Sequence, residues 1–207
     1  MFKPKDLSKI YSLPKKVIFC KKCVISNQRP RIVFDKNGVC TACNYFEYKK
    51  KINWKERENE LLKLLDKFRS KDSSYDCVVP SSGGKDSAYV AHELKTKYGM
   101  NPISVTWSPL KYTDIGLKNL NSFNDSGFDI IMGMPRGDIK RKMTREALIE
   151  MGDPFQGFIY GQVLFPVTIA LNYGIRLIFR GENAEAEYGG KQESWDKKLL
   201  TLQEFKT

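Results

Sequence analysis

Apolar positions recur with two different periods along the chain, and the change of period divides it. Within Trp54–Phe68 the residues Leu61, Leu64, Leu65 and Phe68 fall at i, i+3, i+4 and i+7, which predicts an amphipathic helix with a charged back. The polar stretch Lys71–Tyr75 then predicts a hinge. Beyond it, short apolar runs predict strands at Asp76–Val79, Pro102–Trp107, Asp129–Met132 and Arg176–Phe179. Between them, helices are predicted at Asp86–Tyr98, near Asp114–Phe123, at Asp138–Met151 and at Gln162–Tyr173. Such alternation implies parallel strands with crossover helices, and ligands then bind at the carboxyl ends of the strands. The expectation is an α/β fold with a doubly wound parallel sheet over residues 76–207, a helical linker over 51–75, and a small separate unit over 1–50.

That first unit carries its own chemistry. Cys20-Lys-Lys-Cys23 and Cys40-Thr-Ala-Cys43 are two C-x2-C pairs with sixteen residues between them, a spacing that suits a four-thiolate zinc ribbon. Arg31–Phe34 reads as a strand and Asp35-Lys-Asn-Gly38 as a hairpin turn, so a small β-ribbon closed by metal is expected. Four thiolates complete a tetrahedral ion, which makes the site structural and leaves no position for substrate. An iron–sulfur cluster is the rival occupant, and four unrelated thiols the bland alternative.

Composition adds where the charge lies. Of the net +11, all belongs to residues 1–75, which hold 19 Lys and Arg against 8 Asp and Glu; residues 76–207 hold 16 against 16. A basic arm suggests a polyanionic or nucleotide-linked partner, with a solvated Lys-rich surface as the plain alternative. No apolar run is long enough to span a membrane, and the N-terminus has no continuous apolar segment of the secretory kind, so a cytoplasmic setting is expected.

The densest chemical signal is Ser81-Ser-Gly-Gly-Lys-Asp-Ser87, between a predicted strand and a predicted helix. Unpaired N–H groups and the positive end of the helix dipole converge in such a place, which makes it an anion site. Gly83 and Gly84 let the backbone come close to phosphate oxygens, Ser82 and Ser87 can donate hydroxyls, and Lys85 can offset charge. Asp86 can cap the helix or hold the loop in shape. The spacing is neither a Walker A loop nor a dinucleotide fingerprint. An ordinary Ser/Gly-rich turn is the alternative.

Ser82-Gly-Gly-Lys-Asp-Ser87 resembles the S-G-G-x-D-S loop of the N-type ATP pyrophosphatases, the PP-loop superfamily, of the adenine nucleotide alpha hydrolase-like fold. Val105-Thr-Trp107, Thr113-Asp-Ile-Gly116 with Asn119, Gly152-Asp-Pro154, Gly161-Gln162, Gly181-Glu-Asn183 and Glu187-Tyr-Gly-Gly190 extend the resemblance to the N-acetyl sugar amidotransferase family. That family makes acetamidino sugars, of the pseudaminic acid or diacetamido-mannuronic acid kind, for surface polysaccharide, lipopolysaccharide or flagellar glycans. Its members are typically longer, so the chain looks truncated at its C-terminus.

The resemblance implies ATP and Mg2+ as cofactors beside the structural Zn2+, an N-acetylated acidic sugar as substrate, and a glutaminase partner as ammonia source. It implies that ATP adenylates the N-acetyl oxygen and that ammonia then displaces AMP. Lys85, Asp86, Glu182 and Asn183 are the candidate catalytic residues, with Glu182 and Asn183 ligating Mg2+ or binding sugar. Ser82, Gly83, Gly84, Lys85, Asp86, Ser87 and Trp107 are the candidate ATP contacts. Trp107 can equally be core, Asp114 and Asn119 can bind nucleotide or substrate, and Glu185 and Glu187 can be a solvated loop. A tRNA-thiolating PP-loop enzyme is the first alternative; it would call for cysteines after the loop, and the fifth cysteine, Cys77, precedes it. A catalytically inactive zinc-ribbon scaffold is the second. His92, the one histidine, reads as a surface or packing residue.

Overall fold

The computed structural model describes residues 6, 8, 12–183 and 187–196. The chain forms two compact units, one from residues 1–54 together with 183–207, the other from Lys55–Glu182. These limits differ from the expected divisions after residues 50 and 75. The predicted linker helix, α2 (Trp54–Phe68), buries Leu65 completely in the core of the larger unit. Residues 187–196, expected to continue the sheet domain, instead belong to the cysteine unit. There Trp195 packs on Tyr45 and Tyr48, and Tyr48 donates a hydrogen bond to Asp196.

In the larger unit β1 (Cys77–Pro80), β2 (Pro102–Trp107) and β3 (Ile130–Gly133) form a parallel sheet in the order β1-β2-β3. The predicted fourth strand is reduced to a parallel bridge between Ile178 and Val78, with the Val78 N–H donating to Leu177 and the Phe179 N–H donating to Val78. This segment therefore lies beside β1, on the side away from β2. Residues 77–79 are wholly buried, as expected of a strand covered on both faces.

Side-chain alternation sends β1 into two cores. Cys77 and Val79 join Leu65, Ala91, Leu94, Phe123 and Leu177, drawn from α2, α3 (Lys85–Thr96), α4 (Asp114–Asp125) and the 177–179 segment. Val78 joins Ile103, Val105, Ile169 and Ala170, the last two from α6 (Gln156–Asn172). Full burial of a leucine such as Leu65 contributes about 1.5–3 kcal/mol. A further helix, α5 (Gly137–Met151), ends at Gly152 in the left-handed region.

Helix α6 starts six residues before the predicted Gln162. Gly157 and Gly161 argue against a helix there, yet the turn begins where the Phe155 N–H donates to the Asp153 carboxylate. Among the described residues no helix is long and apolar enough to cross a membrane.

The cysteine unit is not the expected β-ribbon. Its strands shrink to two antiparallel bridges, Phe19 with Ser26 and Phe34 with Cys40, and the second cysteine pair opens an unpredicted helix, α1 (Thr41–Lys49). Cys40 is the N-cap of α1, its sulfur accepting from the Cys43 N–H. Asp35 fixes the predicted turn: its carboxylate accepts from the N–H groups of Asn37 and Val39 and from the Asn44 amide. These hydrogen bonds hold its pKa below the usual carboxylate range.

Candidate functional site

The four cysteines converge. The sulfurs of Cys20, Cys23, Cys40 and Cys43 all lie within 4.8 Å of one another. Cys20 and Cys43 are 4.0 Å apart and Cys23 and Cys40 3.7 Å. A tetrahedral ion with sulfur ligands at about 2.3 Å separates its sulfurs by about 3.8 Å, so the four thiols fit a metal ion. The sulfurs are also supplied with donors, the Lys22 and Cys40 N–H groups both pointing at Cys20 Sγ at 3.3 and 3.2 Å. Burial pushes the Cys20 thiol up, but the N–H groups of Cys40, Lys22 and Cys23 outweigh it and hold it at about 6. Burial and the neighbouring thiols push Cys43 well above its ordinary value.

At the other candidate site, the Ser81–Ser87 loop joins the end of β1 to the first turn of α3. Gly83 has φ +79°, a conformation that disfavours any other residue. A Cβ there would lie 2.8 Å from Leu120 Cα, so the loop rests directly on the backbone of α4. Gly84 is the N-cap of α3 and has no side chain to receive the first-turn N–H groups. Ser82, Lys85 and Asp86 are exposed, with the Lys85 ammonium 2.6 Å from the Asp86 carboxylate. Such a surface pair adds little stability, and both groups remain open to solvent.

Ser81, absent from the predicted contacts, holds this loop together. It is buried; its Oγ accepts from the Gly83 N–H at 3.2 Å and lies 3.0 Å from Ser87 Oγ. Ser87 Oγ in turn donates to the Gly84 carbonyl at 3.2 Å. The Thr106 hydroxyl donates to the Ser81 carbonyl from β2. The one signal for this role in the sequence was Thr106, a polar residue within the otherwise largely apolar buried strand β2. Ser87 is thus engaged in shaping the loop as well as being placed beside it.

The second predicted loop reaches the first. A Cβ on Gly181 would stand 2.8 Å from the Ser87 backbone nitrogen, so the chain leaving the 177–179 segment touches the start of α3. Glu182, the next residue, is exposed. Asn183 and Glu187 belong to the other unit, where the Asn183 N–H donates to Glu187 Oε1 at 3.0 Å. Glu185 lies outside the described residues.

Trp107 stands at the carboxyl end of β2, the same sheet edge as the loop, but its ring turns to α6. Cβ atoms on Gly161 and on Gly133 would lie 2.0 and 2.7 Å from it, and Phe165 packs at 5.3 Å between ring centroids. It also lines an apolar cavity of about 320 Å³ between α5 and α6. Asp114 and Asn119 are exposed on α4, with Thr113 rather than Asp114 capping that helix. His92 is exposed on α3, and Cys77 is fully buried, its thiol pushed up by burial and by Asp76.

No family model matches the chain. Over 88 residues, 42% of this chain, it is 28% identical to the uncharacterized protein MJ1599 of Methanocaldococcus jannaschii. The match takes in about a third (31%) of that relative's length.

Proposed function

We propose that the chain is an ATP-dependent N-acetyl sugar amidotransferase built on a doubly wound PP-loop domain. The observation that carries this reading is the construction of the Ser81–Ser87 loop. It runs from a strand end through a left-handed Gly83 to a glycine N-cap, with two hydroxyls fixing its shape. Supporting the fold assignment, the 177–179 segment and β2 flank β1 on opposite sides, so strand order reverses beside the loop, where open α/β sheets bind ligands.

In this reading the first-turn N–H groups of α3, Ser82 and Lys85 hold the β and γ phosphates of ATP, and Glu182 would hold a Mg2+ that would neutralise charge on them. Asp86 and Ser87 keep the loop in shape, while the Trp107 ring, turned to α6, packs in the protein rather than against the nucleotide. The N-acetyl carbonyl oxygen attacks the α-phosphorus and pyrophosphate leaves, giving an O-adenylated imidate. Ammonia from a partner glutaminase adds to the imidate carbon, and the adduct collapses with loss of AMP and protons to the amidine. The oxygen lost from the amide leaves in AMP, which is why ATP is needed to remove so poor a leaving group.

The metal of the cysteine unit is, in this reading, a structural Zn2+ that holds a segment too small to fold on burial alone. Reduced thiols at that site fit a cytoplasmic protein. Thiolation of tRNA is disfavoured because the only cysteine outside the metal set, Cys77, is buried in the core.

The test incubates the chain with Mg-ATP, ammonia and a panel of N-acetylated acidic sugars, following AMP and sugar mass. Conversion of one acetamido group lowers the sugar mass by about one unit, as oxygen is replaced by NH. AMP release with tRNA and with none of the sugars would overturn the reading.

A further inference from the structure

We propose that the cavity between α5 and α6 is a binding site for a ring-bearing carboxylate, distinct from the nucleotide and from any sugar acceptor. The inference does not rest on the ATP reading.

The cavity, of about 320 Å³, falls at the lower end of the range for small-molecule sites, about 300–1,000 Å³. Trp107, Phe165, Ile139, Met143, Phe158 and Leu164 line it, so its surface is overwhelmingly apolar. Two aromatic rings 5.3 Å apart and inclined by 49° offer a face and an edge to a planar guest. α6 carries glycine at 157 and 161, one turn apart and both on the lining, so that Met143 and Trp107 can pack directly on its backbone. A methyl group at Gly161 would occupy the position of the Trp107 ring, and one at Gly157 would press on Met143. Each glycine inside a helix costs about 1 kcal/mol relative to alanine. At Gly161 the close approach of the ring to the helix offsets that cost.

Lys140 sets the charge of the guest. It lines the same cavity and is half-buried, and its ammonium is steered by the Pro109 carbonyl at 2.6 Å and Ser108 Oγ at 3.4 Å. Both partners are neutral, and among the described residues no carboxylate pairs with it. A half-buried cation lacking an anion on the rim of an apolar cavity is matched by a carboxylate attached to an apolar ring. A sugar is excluded by the same walls, because its hydroxyls would be left unpaired against them.

The probe is indole-3-acetate, with indole-3-acetamide as its uncharged counterpart, titrated calorimetrically into the full chain. The expected result is saturable binding of one acid per chain, with the amide weaker by about tenfold or more, the value of a charge-assisted hydrogen bond. Lys140→Gln lowers acid affinity to that of the amide and leaves amide affinity unchanged. Thr144→Phe, which fills the cavity from α5, abolishes both with an unchanged circular dichroism spectrum; Thr168→Phe fills it from α6 should the first variant fail to fold. Equal affinity for acid and amide, no saturable binding, undiminished binding by both filled variants, or displacement of the probe by ATP would each overturn the proposal. The last would make the cavity the nucleotide's own subsite.

Discussion

The backbone of Gly181 touches the backbone of Ser87: a Cβ on the glycine would lie 2.8 Å from the serine nitrogen and 2.9 Å from its Cα. Two loops distant in sequence thus meet at the first turn of α3, with no side chain between them. Because the obstructing atoms are backbone, Gly181→Ala has to move one loop away from the other. The expected effect is a loss of about 1–3 kcal/mol in stability and a weaker ATP affinity, read by denaturant melts and by nucleotide titration. Unchanged affinity in a folded variant would separate Gly181 from the nucleotide site.

Gly161→Ala meets Trp107 at 2.0 Å, a distance no small shift relieves. Overpacking at a ring wedged against a helix costs about 1–3 kcal/mol. Pairing it with Trp107→Leu removes the obstruction, so the double variant is expected to recover part of the loss. Additive losses in the two single variants would show that the contact is not the cause.

Metal content tests the cysteine unit. Purified protein is expected to carry one zinc per chain, and Cys20→Ser to carry little, since three thiols and a weaker hydroxyl ligand hold zinc poorly. Strong chelation of the parent protein is expected to open residues 12–54 to protease while the segment 55–182 stays resistant, because the metal closes only the smaller unit. Equal zinc in parent and variant would reject the four-thiolate site.

Glu58 on α2 accepts from Lys97 at 2.7 Å and from the Tyr98 hydroxyl at 3.0 Å, joining α2 to the end of α3. The Lys97 hydrogen bond, with help from Tyr98, holds the Glu58 pKa below its ordinary value. A depressed carboxylate contributes stability above its unfolded pKa, about 4.3. That contribution fades as pH falls through the lower folded value. Glu58→Gln is therefore expected to lower the melting midpoint slightly at pH 7 and to match the parent in strong acid. A difference that persists undiminished in acid would contradict the assignment.

Much of the larger unit was legible because local signals agreed with tertiary need. Pro102–Trp107 is a strand with the predicted limits, and Leu65 heads the buried stripe of its helix. The loop's position between strand and helix was likewise plain from the residues, whereas Ser81 was missed because its role depends on Ser87 and Thr106, which folding brings beside it. Helix α1 was hidden because its cap is a cysteine of the four-thiol cluster rather than a conventional capping residue. The first turns of α6 were hidden because Gly157 and Gly161 are chosen for contact with Met143 and Trp107, against helix propensity. The return of Trp195 to Tyr45 and Tyr48 left no periodic trace at all.

If the Ser81–Ser87 loop serves the adenylation of an amide oxygen, the amide oxygen itself must end in AMP. The most direct test uses an N-acetylated acidic sugar labelled with oxygen-18 in the acetyl carbonyl, turned over with ammonia and Mg-ATP, with the products read by mass spectrometry. The label is expected to leave in AMP, and Lys85→Ala to suppress its transfer. Label appearing in pyrophosphate or water, or retained in the sugar while AMP accumulates, would contradict it.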